Sequence, residues 1–383
     1  MQEFVHTFSM VRSLSEQEHQ NFKCTYGSKY FFNSDKKKSN KGKKNLKFVL
    51  SKYADDGLKV EVRKRKYEDR NNDPLRREYK ATIIITPHKL LSPGKQMGKL
   101  TNIADIQAAS SQLINIISKI EKDSGVNLWK EAELRRVDIT KDVTTPSDLY
   151  TAEIIKASKQ AVRKCGYDIF RPEESEGYNP EWPVEDSALF YSHSQEVAAK
   201  IYNKLHDLEE AERKEYSRFG LIRFELTLKR KRLIDLYNIG EVLLPDGLPG
   251  LLCKITEDGS MLLDKYIAQT LFPGAMVSRN VLRMYLKLTN KGKKNRTEKM
   301  LNYSSWVTQM PPEYYTLCGT ESEIRTRKRW FEEASVSPVC VRNKCPYIPS
   351  FSDLLNGVVD QDFLDLALYV TRKKKAELDY WTV

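Results

Sequence analysis

In the run Ala199-Lys200-Ile201-Tyr202-Asn203-Lys204 a tyrosine stands between two lysines, each two residues away. In an extended chain alternate residues share a face, so Lys200, Tyr202 and Lys204 point one way and Ala199, Ile201 and Asn203 the other. Cations around a phenol favour the phenolate over a group that otherwise titrates near pH ~10. Such a tyrosine is a candidate nucleophile toward a phosphodiester. Periodicity offers a competing reading. Val197, Ile201, Leu205 and Leu208 recur at helical intervals within 195–216 and Ser194 is a suitable cap, so Tyr202 would be an ordinary flank residue of a helix.

Acids occur at matching positions. ELRRVDITKDV (133–143) alternates Arg136, Asp138, Thr140 and Asp142 with Val137, Ile139 and Val143, and GLIRFELTLKR (220–230) alternates Arg223, Glu225, Thr227 and Lys229 with Ile222, Phe224, Leu226 and Leu228. EYKATIIITPH (78–88) sets Lys80, Thr82, Thr86 and His88 opposite Ala81, Ile83 and Ile85. Each strand has an apolar side for packing and a charged side left open. One face bearing Asp138, Asp142, Glu225, His88 and Tyr202 would suit metal-assisted phosphoryl transfer. The carboxylates and His88 would hold Mg²⁺ or Mn²⁺, and Lys200, Lys204 and Arg223 would complete the catalytic set. The tyrosine would keep the phosphate as a phosphotyrosine, conserving the ester bond so that a later transfer reseals the strand without ATP. A plainer reading pairs Asp138 and Glu225 with Arg136 and Arg223 across the sheet, a cross-strand salt bridge worth ~0.2–1 kcal/mol. His88, after Pro87, would then be an exposed loop histidine.

The elements that must position these residues are legible in outline. Residues 57–67 and 78–88 read as a hairpin around NNDP, and 105–125 as an amphipathic helix closed by Gly125. A second helix is announced by Thr145 as N-cap and Pro146 at its first position. The expected fold class is α+β, a largely antiparallel sheet with helices on one face and an open catalytic face. From about residue 238, segments 259–272, 278–294, 321–337 and 351–381 read as amphipathic helices. This predicts a nicking domain over 1–237 and a mainly helical domain over 238–383 that docks duplex DNA.

Composition sets the class. The 383 residues are 40% hydrophobic, and no apolar run approaches the ~18 residues of a membrane span. MQEFVHTFSMVRSLSEQ lacks the basic start and apolar stretch of a signal peptide, which predicts a cytoplasmic protein. Sixty-four Lys and Arg against 52 Asp and Glu give +12, a balance suited to a polyanionic partner. Lysine-rich stretches at 36–45, 290–299 and 372–377 stand out, the first two reading as exposed loops. The six cysteines are scattered. Cys340 and Cys345 lie close together, but no second pair stands at zinc-ribbon spacing, so reduced thiols are expected.

Three segments in this order resemble the rolling-circle replication initiators, in the branch that joins Rep_trans-type plasmid initiators to gene II-type replication proteins of filamentous phages. LRRVDITKDV (134–143) is similar to that branch's Arg-hydrophobic-Asp strand, ALFYSHSQEVAAKIYNK (188–204) to its strand pair ending in Tyr-(Asn/Asp)-Lys, and LIRFELTLKR (221–230) to its Arg-x-Glu-hydrophobic strand. TPHKLL (86–91) resembles a Pro-x-Lys-Leu turn upstream. The resemblance implies that Tyr202 nicks an origin strand, forming a 5′-phosphotyrosine link and a free 3′-hydroxyl primer. It implies Asp138 as a metal ligand, Glu225 as a second acid and Asp142 on the same strand, with Mg²⁺ or Mn²⁺ as cofactor. It also implies an extended chain at Tyr202, with a helix only from about Leu205. The implied partners are single-stranded and duplex origin DNA, a host helicase and polymerase, and no membrane, in the cytoplasm of a bacterial host; a dimer is one state it allows. One departure is that Ile83, Ile84 and Ile85 stand where plasmid members can carry an acid, which leaves His88, Glu61 or water to complete a metal shell. The alternatives are a conjugative relaxase of the same fold family and a non-catalytic DNA-binding regulator. No RRM, KH or dsRBD signature points to RNA.

Overall fold

The computed structural model describes residues 4–34, 45–66, 77–93, 103–161, 167–169, 187–208, 210, 213–214, 218–238, 247–310, 314 and 317–371. The chain forms two compact units, residues 4–139 with 227–257, and residues 140–226 with 258–383. The expected boundary after residue 237 falls inside the first of these. NNDP and the lysine stretches at 36–44 and 372–377 lie outside the described residues.

The first unit opens with β1 (Phe4–Leu14), α1 (Glu16–Tyr30), β2 (Phe31–Asn33), β3 (Asn45–Leu50), β4 (Leu58–Lys66) and β5 (Arg77–Ile85). After these come α2 (Pro87–Leu91), α3 (Ile103–Ser124) and the start of β6 (Glu133–Thr145). The strand order is β2-β3-β4-β5-β1-β6, and the described pairings of β1 to β5 are antiparallel. The expected hairpin is the β4–β5 pair, with Val60 opposite Ile83 and Val62 opposite Ala81. That face is buried, and α1 packs on β3 and β5 while α2 and α6 (Leu248–Glu257) pack on β1. The pleat puts Arg63 and Lys80, which are partners across the pair, on the other face, where both are exposed. The α3 helix ends where Gly125 adopts φ +68°, a left-handed turn that glycine takes without strain.

Two elements here carry weak periodicity. β1 is buried at Phe8, Ser9 and Met10 in succession, so no alternation marks it. α1 buries only His19, Phe22 and Tyr26, but its start is a capping box: the Ser15 hydroxyl accepts from the Glu18 N–H at 3.1 Å, and the Ser15 N–H donates to the Glu18 carboxylate at 2.8 Å.

The second unit takes the end of β6, then α4 (Asp148–Gln160), β7 (Tyr167–Ile169), β8 (Ser187–Ser192), β9 (Val197–Asn203) and most of β10 (Gly220–Lys229). The strand order is β6-β10-β9-β8-β7, with α4 against β8 and β9. α5 (Arg230–Tyr237) and α6 return to the first unit, and the second resumes with α7 (Gly259–Tyr266). The rest is a two-stranded ribbon of β11 (Met276–Val277) and β12 (Tyr347–Ile348) among α8 (Arg279–Thr289), α9 (Lys294–Gln309), α10 (Glu321–Glu333), α11 (Phe351–Asn356) and α12 (Gln361–Thr371). No helix among the described residues is long and apolar enough to cross a membrane.

Three local expectations are corrected. The cap of α4 is Ser147, not Thr145, because β6 runs on through Thr145, whose hydroxyl lies 2.8 Å from that of Thr151. The stretch 290–299 is a loop only to Lys293, since α9 begins at Lys294. The charged side of the strands is not uniformly open: Asp138, Thr140, Asp142 and Arg223 are all buried, and on β10 exposure returns only at Glu225, Thr227 and Lys229.

Candidate functional site

Tyr202 lies on β9, so the helical reading is overturned over Val197–Asn203. The spacing of four between Val197 and Ile201 fits a strand as well as a helix, and pairing decides between them: Tyr202 stands opposite Ser187, Ile201 opposite Ala188 and Lys200 opposite Leu189 on β8. Val197, Ala199 and Ile201 fill the core on the other face. The strand stops where the Asn203 side chain accepts from the Leu205 N–H at 3.0 Å, and a 3₁₀ turn follows over Leu205–Asp207. The Lys204 N–H donates to the Leu221 carbonyl at 2.9 Å, which ties this corner to β10.

Six charged side chains of the second unit act on the phenol or on one another. The Tyr202 hydroxyl donates to Glu225 Oε2 at 3.2 Å, and Lys200 Nζ stands 4.2 Å from the centre of the phenol ring. Arg223 grips Asp142 with two nitrogens, Nε at 2.5 Å and Nη2 at 2.7 Å, and both side chains are 1% exposed. Lys204 Nζ lies 3.7 Å from Asp207.

The electrostatics reverse one expectation. Burial pushes the Tyr202 phenol well above its ordinary range, the Glu225 carboxylate adds to this, and Arg223 opposes it. Its ring is 8% exposed, and Lys200 sits over the face of the ring. The phenol is therefore held protonated and does not stand ready as a phenolate. Burial, then Arg223, lowers the pKa of Lys204, while Asp207, Asp142 and Glu225 oppose the shift.

The remaining expected residues are engaged elsewhere. Asp138, in the first unit, accepts from the Thr227 hydroxyl at 2.6 Å and pairs with Arg136 at 3.0 Å, a neighbour on its own strand and not the cross-strand partner of the plainer reading. Arg223 pairs with Asp142 across 81 residues and leaves Glu225 to the tyrosine. His88, also in the first unit, is not on an exposed loop: it is buried in the first turn of α2, with its ring 5.2 Å from that of His6. Glu61 is neutralised by Lys47 at 2.7 Å and Lys59 at 2.9 Å.

These residues do not fit the implied Mg²⁺ or Mn²⁺ as they are arranged. Both Asp142 oxygens serve Arg223, both Asp138 oxygens have partners, and Glu225 Oε2 takes the phenol proton. Among the described residues no group of three or more His, Cys, Asp or Glu side chains is placed to hold an ion.

Two participants escaped the sequence reading. Asp207 is three residues from Lys204, a spacing that signals contact only once the strand is known to turn there. Thr227 lies two residues from Glu225 on the same pleat, so its face was legible and its bond to Asp138 was not. No family model matches this chain, and no curated protein matches it.

Proposed function

We propose that this protein is a DNA strand transferase of the rolling-circle initiator kind, with Tyr202 as nucleophile and Glu225 as its general base. The observation that carries this is the 3.2 Å bond from the phenol to Glu225, on a face shared with Lys204 and Arg223. A phenol with a raised pKa needs a base in contact when it attacks, and Glu225 is that base. The Tyr202 oxygen forms a bond to phosphorus, the bond from phosphorus to the 3′-oxygen breaks, and Glu225 takes the phenol proton. Lys204, made more acidic by burial, gives a proton to the departing 3′-oxygen. Arg223, held by Asp142, and Lys200 supply positive charge to the phosphate. The products are a 5′-phosphotyrosine and a free 3′-hydroxyl.

A DNA partner is also supported by exposed residues on one face of the first unit's sheet. Arg63 and Lys80 project there, and the register puts Phe32, 39% exposed, on the same face. Cations with an exposed aromatic suit a single strand, which offers phosphates and stackable bases.

A second reading, a DNA-binding protein without catalysis, is favoured by the burial of the Tyr202 ring and by the ion-paired state of Asp138 and Asp142. One assay separates the two. Protein is incubated with a supercoiled plasmid carrying its own origin, in Mg²⁺, in Mn²⁺ and in EDTA. The strand transferase leaves nicked plasmid with a protein-linked 5′ end. Tyr202→Phe abolishes that product while origin binding stays within a few-fold, and Glu225→Gln slows it by ~10²–10⁴. Absence of any linked end under all three conditions overturns the catalytic reading in favour of the second.

A further inference from the structure

Away from the tyrosine, the second unit contains a cavity of about 380 Å³, within the size range of small-ligand sites. Its walls come from α4, the start of α8, the end of α9 and the segment 340–343. The nicking reading makes no use of it.

The charge of the lining is unbalanced. Its one carboxylate, Glu153, is 3% exposed and already neutralised: Arg342 Nε lies 2.7 Å from Oε1, and the Arg342 N–H donates to Oε2 at 3.0 Å. Lys156 and Arg279 also line the cavity, and among the described residues neither has an ion-pair partner. The wall also carries the hydroxyls of Ser304, Ser305 and Thr308. Two cations with no ion-pair partner among the described residues, beside a neutralised acid, attract an anion of about two charges, which is the charge of a phosphate monoester near neutral pH. The volume exceeds what a phosphate alone fills, and the amides of Gln309 and Asn343 offer donors and acceptors to a polar base or sugar.

We propose that this cavity is a binding site for a small phosphate monoester of nucleotide size, with Lys156 and Arg279 holding the phosphate and the polar wall of α9 holding the remainder. The proposal stands apart from the strand-transfer reading, and its test needs no DNA cleavage.

Calorimetry on the full chain at low ionic strength uses three probes: a deoxynucleoside 5′-monophosphate, its nucleoside, and inorganic phosphate. The monophosphate is expected to bind saturably, the nucleoside to bind at least ~10-fold more weakly, and Lys156→Gln with Arg279→Gln to cost the monophosphate ~10-fold or more in affinity. Both positions are exposed, so these changes leave the fold intact. Cys340 lines the same cavity and gives a readout on the unmodified protein: bound monophosphate slows alkylation of Cys340 and leaves the exposed Cys24 unaffected. Inorganic phosphate binding as tightly as the nucleotide also supports the anion site and makes free phosphate its source. No saturable binding by either phosphate up to ~10 mM overturns the proposal, as does equal binding by the doubly substituted protein or by the nucleoside.

Discussion

The pairing of Arg223 with Asp142 sets what single substitutions near Tyr202 report. Both groups are buried and joined by two hydrogen bonds, so removing one leaves the other as a buried charge that has lost its counter-charge. Arg223→Met is expected to cost about 3–5 kcal/mol of stability, and Arg223→Met with Asp142→Leu to recover most of it, measured by urea unfolding. A single-variant loss larger than the loss in the pair confirms that Arg223 is anchored by Asp142. The proposed nicking, if assayed in Arg223 variants, is therefore interpretable only beside their stability. Tyr202→Phe avoids this difficulty: it removes one oxygen and leaves the ring under Lys200.

At the scale of elements, two contacts are vulnerable. The start of β10 passes so close to the start of α4 that a Cβ on Gly220 would run into the Thr145 hydroxyl and lie 2.6 Å from the Ser147 carbonyl. Gly220→Ala is expected to cost about 1–3 kcal/mol through overpacking, read as a lower urea midpoint. In the first unit, His19 on α1 stacks on Tyr79 with centroids 4.3 Å apart and meets Phe48 edge-on at 4.8 Å. Burial, aided by Lys23 and Lys64, lowers its pKa to about 4 from an ordinary 6.5. The folded protein thus keeps His19 neutral where the unfolded chain protonates it. The associated stability is complete above pH 6.5 and is lost as pH falls toward 4, by an amount on the order of 3 kcal/mol. Unfolding of His19→Phe followed across that window should show a shallower dependence on pH; an unchanged slope would mean that other groups carry it.

For the whole molecule, the net charge of +12 would make any affinity for DNA salt-dependent whatever the chemistry at Tyr202. If the face of the first unit that bears Arg63 and Lys80 carries the strand, Arg63→Ala with Lys80→Ala should weaken single-strand binding and reduce the slope of log affinity against log salt by roughly 1–2. An unchanged slope places the strand elsewhere. The two units also redistribute the expected residues: Asp138 and His88 belong to one, while Tyr202, Asp142, Arg223 and Glu225 belong to the other. β6 and β10 each contribute to both, so a boundary sought in the linear order of elements, near residue 237, divides the first unit instead.

Alternation by itself determined the faces of β4, β5, β6 and β10, because a side-chain period of two is a local property of extended backbone. Gly125 likewise marked the end of α3 through its own conformational freedom. Partners were a different matter. Arg223 chose between Glu225, two residues away, and Asp142, 81 residues away, and strand neighbours outside its own sequence window decided it. Tyr202 had local claims to both helix and strand, the periodicity leaning to helix, until β8 paired with it. The burial that raises its pKa comes from chain folded over it, so the protonation state of the candidate nucleophile was decided by tertiary structure alone.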